Sequence, residues 1–386
     1  MTEVTLDVKG DGDLLKLDWR SPSAPGASYH TGINKLVVRG KVVRERLQDL
    51  ITAAMDQRAA KQPLKLGFEL KALAEAGSKL REAIFSAEAG TEENEGTEAE
   101  TWLADLGEAV LHVWIDRRIY IPWGLAYDGD PPDIADPSEM DIGKFSGFWC
   151  VKYGLSTLYN RIRDSVVRNP RPTDQVQIVK LVNASAWTTA VSQIPLIEQM
   201  ASDLIFKDAI YTSQDFKKTW QKNKKSLETD LLYFYGHASG TALEFGKEDL
   251  LTMQDFPDIL KRNPRAERPA CMVFLNGCHT AIGDDKEGGF LQATAYGGFC
   301  GFVGTEAKIP DVFALRFANA FITELLYTGT RAVDVMNKLR REHWPLSLVY
   351  NLSCHPEFRF DATGSKSPAI PPVPNLSEGV IGSQKM

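Results

Sequence analysis

Apolar runs that alternate with helical patterns, from about residue 176 to residue 354, constrain the fold of this chain more than any other feature. Five of these runs have strand length, namely VQIVKLV, DLLYFYGH, PACMVFLNGC, FCGFVGTEA and LSLVYNLSCH. Amphipathic segments such as GGFLQATAYGG and PDVFALRFANAFITELLYTG separate them. Strands without a polar face must be covered on both sides, and helical crossovers join parallel neighbours. The pattern therefore predicts an α/β fold with a mainly parallel sheet sandwiched by helices.

The N-terminal part of the chain has a different pattern. Residues 1–45 alternate apolar and polar side chains, which predicts two or three strands, and a helical period extends over residues 42–85. Residues 86–100 are acidic with little to bury, so they predict a mobile surface loop. Two strands with a tight connection are predicted at 109–116 and 118–128. An α+β portion therefore precedes the parallel sheet.

Two more helices are predicted between the later strands, and a tail follows them. The first is the basic segment SQDFKKTWQKNKK, and the second extends from about Lys247 to Lys261. The tail from about residue 362 is rich in Pro, Ser and Gly, which predicts disorder.

The charge balance and the cysteine content argue against several classes of protein. Lys and Arg total 44 against 51 for Asp and Glu, so direct nucleic-acid binding has no basic surplus to support it. The basic run FKKTWQKNKK is interpreted as an exposed helix face. The start of the chain is polar and acidic, and no apolar run approaches the roughly 18 residues that span a bilayer, so we expect a cytoplasmic protein without a membrane segment. Five cysteines without a CxxC pair predict free thiols, with no metal or cofactor.

Two of the apolar strands end in a similar way. LLYFYGHAS places a glycine and then His237 after its strand, and CMVFLNGCHT places a glycine and then Cys278 after its own. The 41 residues between them accommodate one helical crossover, a unit of roughly 30 residues or more. Ligands bind at the carboxyl edge of such sheets. The sequence therefore predicts an imidazole and a thiol side by side at that edge.

This pair suits nucleophilic catalysis. An imidazole raises the reactive thiolate fraction of a nearby thiol and protonates a departing amine. The backbone near Gly277 and Ala238 is predicted to stabilise the oxyanion, and the glycines allow close approach of a substrate. Cys150, Cys271 and Cys300 lie within apolar segments and fit the alternative of small buried hydrophobes. His279 is a rival base, but we expect its ring to face away from the thiol because adjacent residues point apart.

The order strand–GHA–helix–strand–NGC–helix–strand resembles the caspase-like cysteine peptidases, which include caspases, metacaspases, gingipains and separase. The chain is most similar to the CHAT group, whose caspase-like domains occur with tetratricopeptide repeats. IPWGLAYD resembles the group's Trp motif, YFYGHASG its histidine motif, VFLNGCHTA its cysteine motif and AYGGFCGFVGTEAKIPD its Gly-rich strand and loop. The resemblance implies a front portion over residues 1–115, a caspase-like catalytic core over 116–362 and a tail over 363–386.

The chain also departs from the pattern of the group. Gly124 stands where the group usually has Glu, and Ala238 where many relatives have Gly. Relatives that prefer basic residues before the cut often have Asp at the position of Asn276, which leaves specificity open. Acidic side chains that follow two of the strands are candidates for a pocket that takes Lys or Arg, with a solvated loop as the alternative for Asp284, Asp285 and Glu287. The candidates for substrate binding are Asn276, Asp284, Asp285, Glu306 and Asp311.

The resemblance implies a cysteine endopeptidase that cleaves a specific protein substrate through a Cys278–His237 dyad and a thioester. It also implies a bacterial protease in antiphage defence or cell death, held inactive until a regulatory protein partner signals. One alternative is a catalytically silent scaffold or partner-binding module with the same fold. Another is a cysteine hydrolase acting on small amides.

Overall fold

Two β-sheets form the framework of the protein. The computed structural model describes residues 2–88, 93–106, 109–115, 119–159, 168–172, 177–183, 185–186, 205–206, 210–222, 230–255, 271–284, 288–296 and 299–361. Within these residues no helix has the length and apolar character needed to cross a bilayer.

The first sheet has the strand order β3-β2-β1-β4-β5. Its strands are β1 (Thr2–Asp11), β2 (Leu14–Ser21), β3 (Ala24–Gly32), β4 (Ala109–Ile115) and β5 (Gly154–Tyr159). The first three form an antiparallel meander, whereas β4 and β5 are parallel to β1. The helices α1 (Ile33–Ala59), α2 (Gly67–Phe85) and α3 (Glu93–Asp105) belong to the same part of the chain. Leu47, Leu50, Leu73 and Leu80 of α1 and α2 are fully buried, so the apolar stripes of these helices supply the core on this side.

The second sheet has the order β16-β15-β12-β9-β7-β8 and holds the predicted site. Its strands are β7 (Gln177–Val182), β8 (Ile205–Phe206), β9 (Leu231–Tyr235), β12 (Met272–Asn276), β15 (Gly301–Thr305) and β16 (Tyr350–Cys354). Only β16 is antiparallel to its neighbour. All five residues of β9, β12, β15 and β16 are buried, as expected for strands covered on both faces. The mainly parallel α/β prediction is confirmed.

Shorter strands and helices complete the described part of the chain. They are α4 (Trp149–Lys152), β6 (Arg168–Pro172), α5 (Ser213–Lys222), β10 (Ala242–Glu244), β11 (Leu250–Thr252), β13 (Gly283–Asp284), β14 (Gly288–Gly289), α6 (Phe290–Tyr296), α7 (Asp311–Tyr327), α8 (Ala332–Glu342) and β17 (Arg359–Asp361). Helix α7 packs on the second sheet, where Phe317 stacks on Tyr350 with 3.9 Å between ring centroids.

Side-chain hydrogen bonds join the two sheets through their edge strands β5 and β16. The Ser156 hydroxyl donates to the carbonyl of Cys354, and the Thr157 hydroxyl donates to the carbonyl of Leu352. The Ser353 hydroxyl donates back to the carbonyl of Thr157. All three hydroxyl-bearing residues are buried, so these bonds satisfy polar groups inside one continuous interior.

Four predictions of local structure are wrong. Residues 33–41 begin α1 instead of continuing a strand, and α3 occupies much of the acidic stretch predicted as a loop. Residues 119–128 form no strand: they are irregular around a 3-10 turn at Trp123–Leu125, with an isolated bridge from Tyr127 to Phe148. The predicted helix from Lys247 contains β11, which pairs with β10. In each case the chain follows tertiary contacts: the paired strands and the packed face of a helix override local composition.

Other predictions of organisation stay open. The helices α5, α6, α7 and α8 lie where the pattern predicts them. The sequence also predicts a helix over SQIPLIEQMASDLI (192–205), and most of this helix and all of the tail from 362 fall outside the described residues. The division at residue 115 stays a prediction, and β5 lies beside β4 in the first sheet although it comes after that residue.

Candidate active site

The two strand ends that carry His237 and Cys278 are neighbours. Strands β9 and β12 are parallel, and Tyr235 pairs with Asn276 in their last register position. Adjacent strands lie about 4.8 Å apart, and the next residue on each is a glycine. A Cβ added to Gly277 would meet the Cβ of Ala238 at 2.7 Å, so the two segments are in contact just beyond the sheet. The structure therefore brings the predicted histidine and cysteine segments together.

Hydroxyl groups hold the turn that contains Cys278. The Thr280 hydroxyl donates to the carbonyl of Leu275, and the Thr305 hydroxyl donates to the carbonyl of Gly277. The Thr305 N–H in turn donates to the Thr280 hydroxyl. Both threonines are fully buried, so their hydrogen bonds are shielded from water. This arrangement, which the sequence analysis did not identify, fixes the backbone on both sides of Cys278.

His279 has an unusual conformation directly after Cys278. Its φ is +59°, in the left-handed region that non-glycine residues seldom occupy. The His279 ring donates a hydrogen bond to the carbonyl of Glu306, and burial lowers the pKa of the ring more than this bond raises it. Its backbone N–H donates to the carbonyl of Ala307 at 3.3 Å. The side chain is therefore engaged by the segment after β15, in agreement with the expectation that it turns away from the thiol.

The Cys278 thiol is partly buried in mixed electrostatic surroundings. Burial raises its pKa, and the nearby carboxylates of Asp311 and Glu244 raise it further. The N–H of Ile309, which donates a hydrogen bond to the sulfur, and the Lys308 ammonium act in the opposite direction. The net shift is upward, so the thiol is protonated at neutral pH. A nucleophilic role for this thiol would therefore require a base.

His237 is held differently, because its backbone is fixed while its ring is exposed. The carbonyl of His237 accepts a hydrogen bond from the N–H of Glu244 at 2.9 Å, and Ala238 bridges to Leu243. These contacts tie the histidine segment to the β10–β11 hairpin. Among the described residues, none forms a hydrogen bond with the imidazole. The ring is therefore exposed at the carboxyl edge of the sheet.

Asn276 lies beneath the site instead of lining it, and its predicted role in substrate binding is not supported. The residue is 1% exposed. Its amide nitrogen donates to the Tyr233 hydroxyl and to the carbonyl of Ala314, and its amide oxygen accepts from the Tyr350 hydroxyl. With these partners the side chain anchors the end of β12 to α7 and β16.

The predicted acidic pocket is only partly assembled. Asp311 is exposed at the start of α7 and close enough to Cys278 to raise its pKa. Glu306 is 3% exposed and faces the interior, so it cannot meet a substrate side chain. The side chain of Asp284 and the whole of Asp285 lie outside the described residues. Glu244 takes a place near the thiol that no sequence signal marked, because a hairpin instead of a helix follows His237.

The chemistry of this region is that of a thiol, an imidazole and backbone amides. Within the described part of the chain, no three side chains of His, Cys, Asp or Glu gather as potential metal ligands. Cys150, Cys271, Cys300 and Cys354 are buried, none of the five cysteines forms a disulfide, and Cys278 is partly exposed. Burial raises the pKa of Cys150 and Cys354, and a substrate cannot reach their buried thiols.

Comparison with known proteins finds a relative whose name states an activity. No protein-family model matches the chain. A protein from Vitiosangium sp. (strain GDMCC 1.1324), named as a probable protease, is 25% identical over 247 residues. The match covers 58% of this chain and 31% of the relative, so the chain spans less than a third of that protein's length.

Solved structures with a similar arrangement are distant. One described as the structure of a protease has a TM-score of 0.44 and 12% identity, covering 73% of this chain and 68% of the other. A crystal structure of the Saccharomyces cerevisiae separase–securin complex has a TM-score of 0.49 and 8% identity, covering 91% of this chain and 30% of the other. At such distances the function must be argued from the site itself.

Proposed function

We propose that the protein is a cysteine endopeptidase in which Cys278 is the nucleophile and His237 the proton-transfer partner. One observation carries the proposal: parallel neighbours β9 and β12 end side by side, each followed by a glycine and then by one member of the pair. The partly exposed Cys278 and exposed His237 are accessible to a polypeptide, unlike the four buried cysteines. The similarity to a protein named as a probable protease supports the same reaction class.

The reaction balances with these groups alone. The imidazole of His237 takes the proton of Cys278, and the thiolate attacks the scissile carbonyl carbon. Backbone N–H groups near Gly277 and Ala238 stabilise the resulting oxyanion. The tetrahedral intermediate collapses to a thioester while the imidazolium protonates the departing amine. Water, deprotonated by the same imidazole, then hydrolyses the thioester and restores the thiol.

Substitution of the dyad tests the proposal. Cys278→Ala and His237→Ala are each expected to abolish cleavage of fluorogenic peptides and protein substrates, with unfolding temperatures close to that of the wild type. His355→Ala is the matched control, because His355 follows β16 and its ring accepts a hydrogen bond from the N–H of Glu357. Wild-type turnover in either dyad variant would refute the assignment.

A catalytically silent scaffold is the second candidate, and two observations favour it. The pKa of Cys278 is raised, and no described residue orients the His237 ring. Both also fit a protease in its resting state. Iodoacetamide separates the two: in a protease Cys278 is alkylated more slowly in His237→Ala than in the wild type, because the imidazole promotes ionisation of the thiol, whereas in a scaffold the two rates are equal.

The specificity of the site is proposed to favour Lys or Arg before the cut. Asp311 and Glu244 both act on the Cys278 thiol electrostatically, so a cationic side chain bound beside the sulfur meets two carboxylates. Peptides ending in Arg or Lys should outperform peptides ending in Asp, and Asp311→Asn should narrow the difference. Equal turnover of the three peptides would remove this part of the proposal.

The remaining parts of the proposal follow from the CHAT resemblance. They are a specific protein substrate, a regulatory protein partner, a cytoplasmic role in bacterial defence or cell death, and the division into a front portion, a core and a tail. The protonated thiol and the imidazole without a hydrogen-bond partner support activation by a partner protein. A small rearrangement that turns the His237 ring toward the sulfur would orient the imidazole and promote ionisation of the thiol.

A further inference from the structure

A second polar cluster lies behind the Cys278 turn, in the interior between the two sheets. Its centre is Glu306, which directly follows β15 and is 3% exposed. One carboxylate oxygen accepts hydrogen bonds from the Tyr120 hydroxyl and from the Asn351 side-chain amide. The reaction proposed above makes no use of this carboxyl. A buried carboxyl is costly unless it has a function or a full set of partners.

Residues 305–309, here called the brace, connect this carboxyl to the nucleophile. Along the brace, Thr305 bonds to Gly277 and Thr280, the carbonyl of Glu306 accepts from the His279 ring, and the N–H of Ile309 donates to the Cys278 sulfur. The brace thus contacts each residue from 277 to 280, through the Thr305 hydroxyl and the backbone of residues 305–309, while the side chain of Glu306 extends to the other side.

Tyr120 and helix α1 also contact the brace. Tyr120 donates to the Glu306 carboxyl, and Gln48 of α1 accepts a hydrogen bond from the N–H of Lys308. Arg44 of α1 lies over the Tyr120 ring, with its guanidinium carbon 5.6 Å from the ring centroid. The catalytic turn is therefore connected to α1 through two contacts of the brace.

The hydrogen bonds around Glu306 are incomplete. Within the described residues, four buried polar atoms near this carboxyl have no hydrogen-bond partner, namely Glu306 Oε2, Asn351 Oδ1, Arg340 Nε and Arg44 Nη1. Glu306, Arg340 and Asn351 line one small cavity with Gly124 and Cys150. A protonated carboxyl has an O–H to donate to such an acceptor, whereas an ionised one faces the two guanidinium groups.

The balance between these two states lies near neutrality. Burial raises the pKa of Glu306 to about 7, against the opposing effects of Arg44, the Asn351 hydrogen bond and Arg340. The titratable groups that face the carboxyl from the surrounding elements are Arg44 of α1, Tyr120, Cys150 of α4, Arg340 of α8 and Tyr350 of β16.

We propose that Glu306 is a positioning residue for the nucleophile, and that the proton on its carboxyl determines how firmly the brace holds the Cys278 turn. The neutral carboxyl keeps the brace closed on the turn, and the ionised carboxyl loosens it. The proposal rests on the function assigned above to Cys278. It concerns the protein's own residues and requires no added ligand.

Hydrogen exchange of the full chain tests this proposal directly. After correction for the intrinsic exchange rate, backbone amides of residues 275–284 are expected to exchange at least threefold faster at pH 8 than at pH 6 in the wild type. Glu306→Gln, which is always neutral and keeps the carboxyl's shape, is expected to stay slow at both pH values. Glu357→Gln is the matched control, because Glu357 pairs with Arg331 at the surface, and it is expected to behave as the wild type.

A second variant distinguishes a titration of Glu306 from a general loss of folding stability. Tyr120→Phe removes a donor that favours the ionised carboxyl, so its transition is expected at higher pH than in the wild type. Iodoacetamide should alkylate Cys278 at least threefold faster in Glu306→Gln than in the wild type at pH 8, and equally at pH 6. Identical pH dependence of exchange in the wild type and Glu306→Gln would overturn the proposal. Absence of selective alkylation in all variants would refute the protease assignment instead, because the exchange experiment does not depend on reactivity.

Discussion

The two turns that form the candidate site begin alike and are supported very differently. Each follows a fully buried strand and starts with a glycine. The Cys278 turn is fixed by buried Thr280 and Thr305 and contains a residue at positive φ. The His237 turn joins the β10–β11 hairpin, and no described residue forms a hydrogen bond with its ring. One half of the site is rigid and the other is adaptable.

This difference indicates where the protein can be regulated. A nucleophile gains from a fixed backbone, because the oxyanion donors must point at a defined position. An exposed imidazole reaches several positions, so a bound substrate or partner can select the productive one. If the proposed function holds, the backbone at Cys278 is already fixed, and a bound substrate or partner orients the His237 ring.

Substitution of Gly277 should reduce activity more than any other change considered, because the two turns touch at this residue. In Gly277→Ala the new Cβ would meet the Cβ of Ala238 at 2.7 Å and the carbonyl oxygen of Gly236 at 2.9 Å. We expect kcat/KM to fall on the order of 100-fold, since displacements of about 1 Å in a site cost that much. Peptide hydrolysis and thermal unfolding measure the effect.

The control for that prediction is Gly246→Ala, in the hairpin that follows His237. A Cβ at Gly246 meets only the Cβ of Asp249, at 3.9 Å, so kcat/KM and the unfolding temperature should stay near wild-type values. Equal losses in the two variants would show that the contact between the turns is not special.

Removal of one hydroxyl from each turn should give the next largest effect. Thr305→Val leaves the carbonyl of Gly277 with a weaker set of donors and should cost about 1–3 kcal/mol of stability and roughly tenfold in kcat. Ser239→Ala removes an exposed hydroxyl that accepts from the N–H of Ala242, and should change stability by less than about 0.5 kcal/mol. Urea unfolding and peptide turnover compare the two. Comparable losses would contradict a rigid cysteine turn beside an adaptable histidine turn.

The pH dependence of stability sharpens the comparison by assigning a titrating carboxyl to the segment that holds the Cys278 turn. Because burial raises the pKa of Glu306 from 4.5 to about 7, the folded protein retains a proton that the unfolded chain releases. The stability from this proton is complete below pH 4.5 and is lost as pH rises through 7, with a difference on the order of 3 kcal/mol. Denaturant unfolding at a series of pH values should show this decline in the wild type and in Glu357→Gln, and a smaller one in Glu306→Gln. A decline of equal size in Glu306→Gln would place the titrating group elsewhere.

The sequence predicted the strands of the site well because its pattern there is unambiguous. Apolar runs of strand length followed by Gly-His and Gly-Cys can be buried in only one way, so β9 and β12 were found with the correct order and direction. Predictions from local sequence patterns were wrong where contacts with other segments determine the secondary structure. The residues after Gly246 have helical periodicity but pair as a hairpin, and the acidic stretch before residue 105 forms a helix.

Acidic residues near the site show the same limit of prediction from sequence, because their burial depends on tertiary contacts. Glu306 and Asp311 are five positions apart after the same strand, and the sequence assigns both to one pocket. The structure buries the first against Tyr120 and Asn351 and leaves the second exposed near the thiol. Glu244 also acts on the Cys278 thiol, like Asp311, because it lies in a hairpin that no sequence motif indicated.

By itself the sequence determined the alternation of strands and helices, the free cysteines and the two candidate catalytic residues, because hydrophobic periodicity and strand-end chemistry are local properties. Tertiary structure alone decided which carboxylates reach the thiol, which hydroxyls hold its turn and which way His279 points. These depend on contacts between residues far apart in the chain, since burial and hydrogen-bond partners arise only when separate segments pack together.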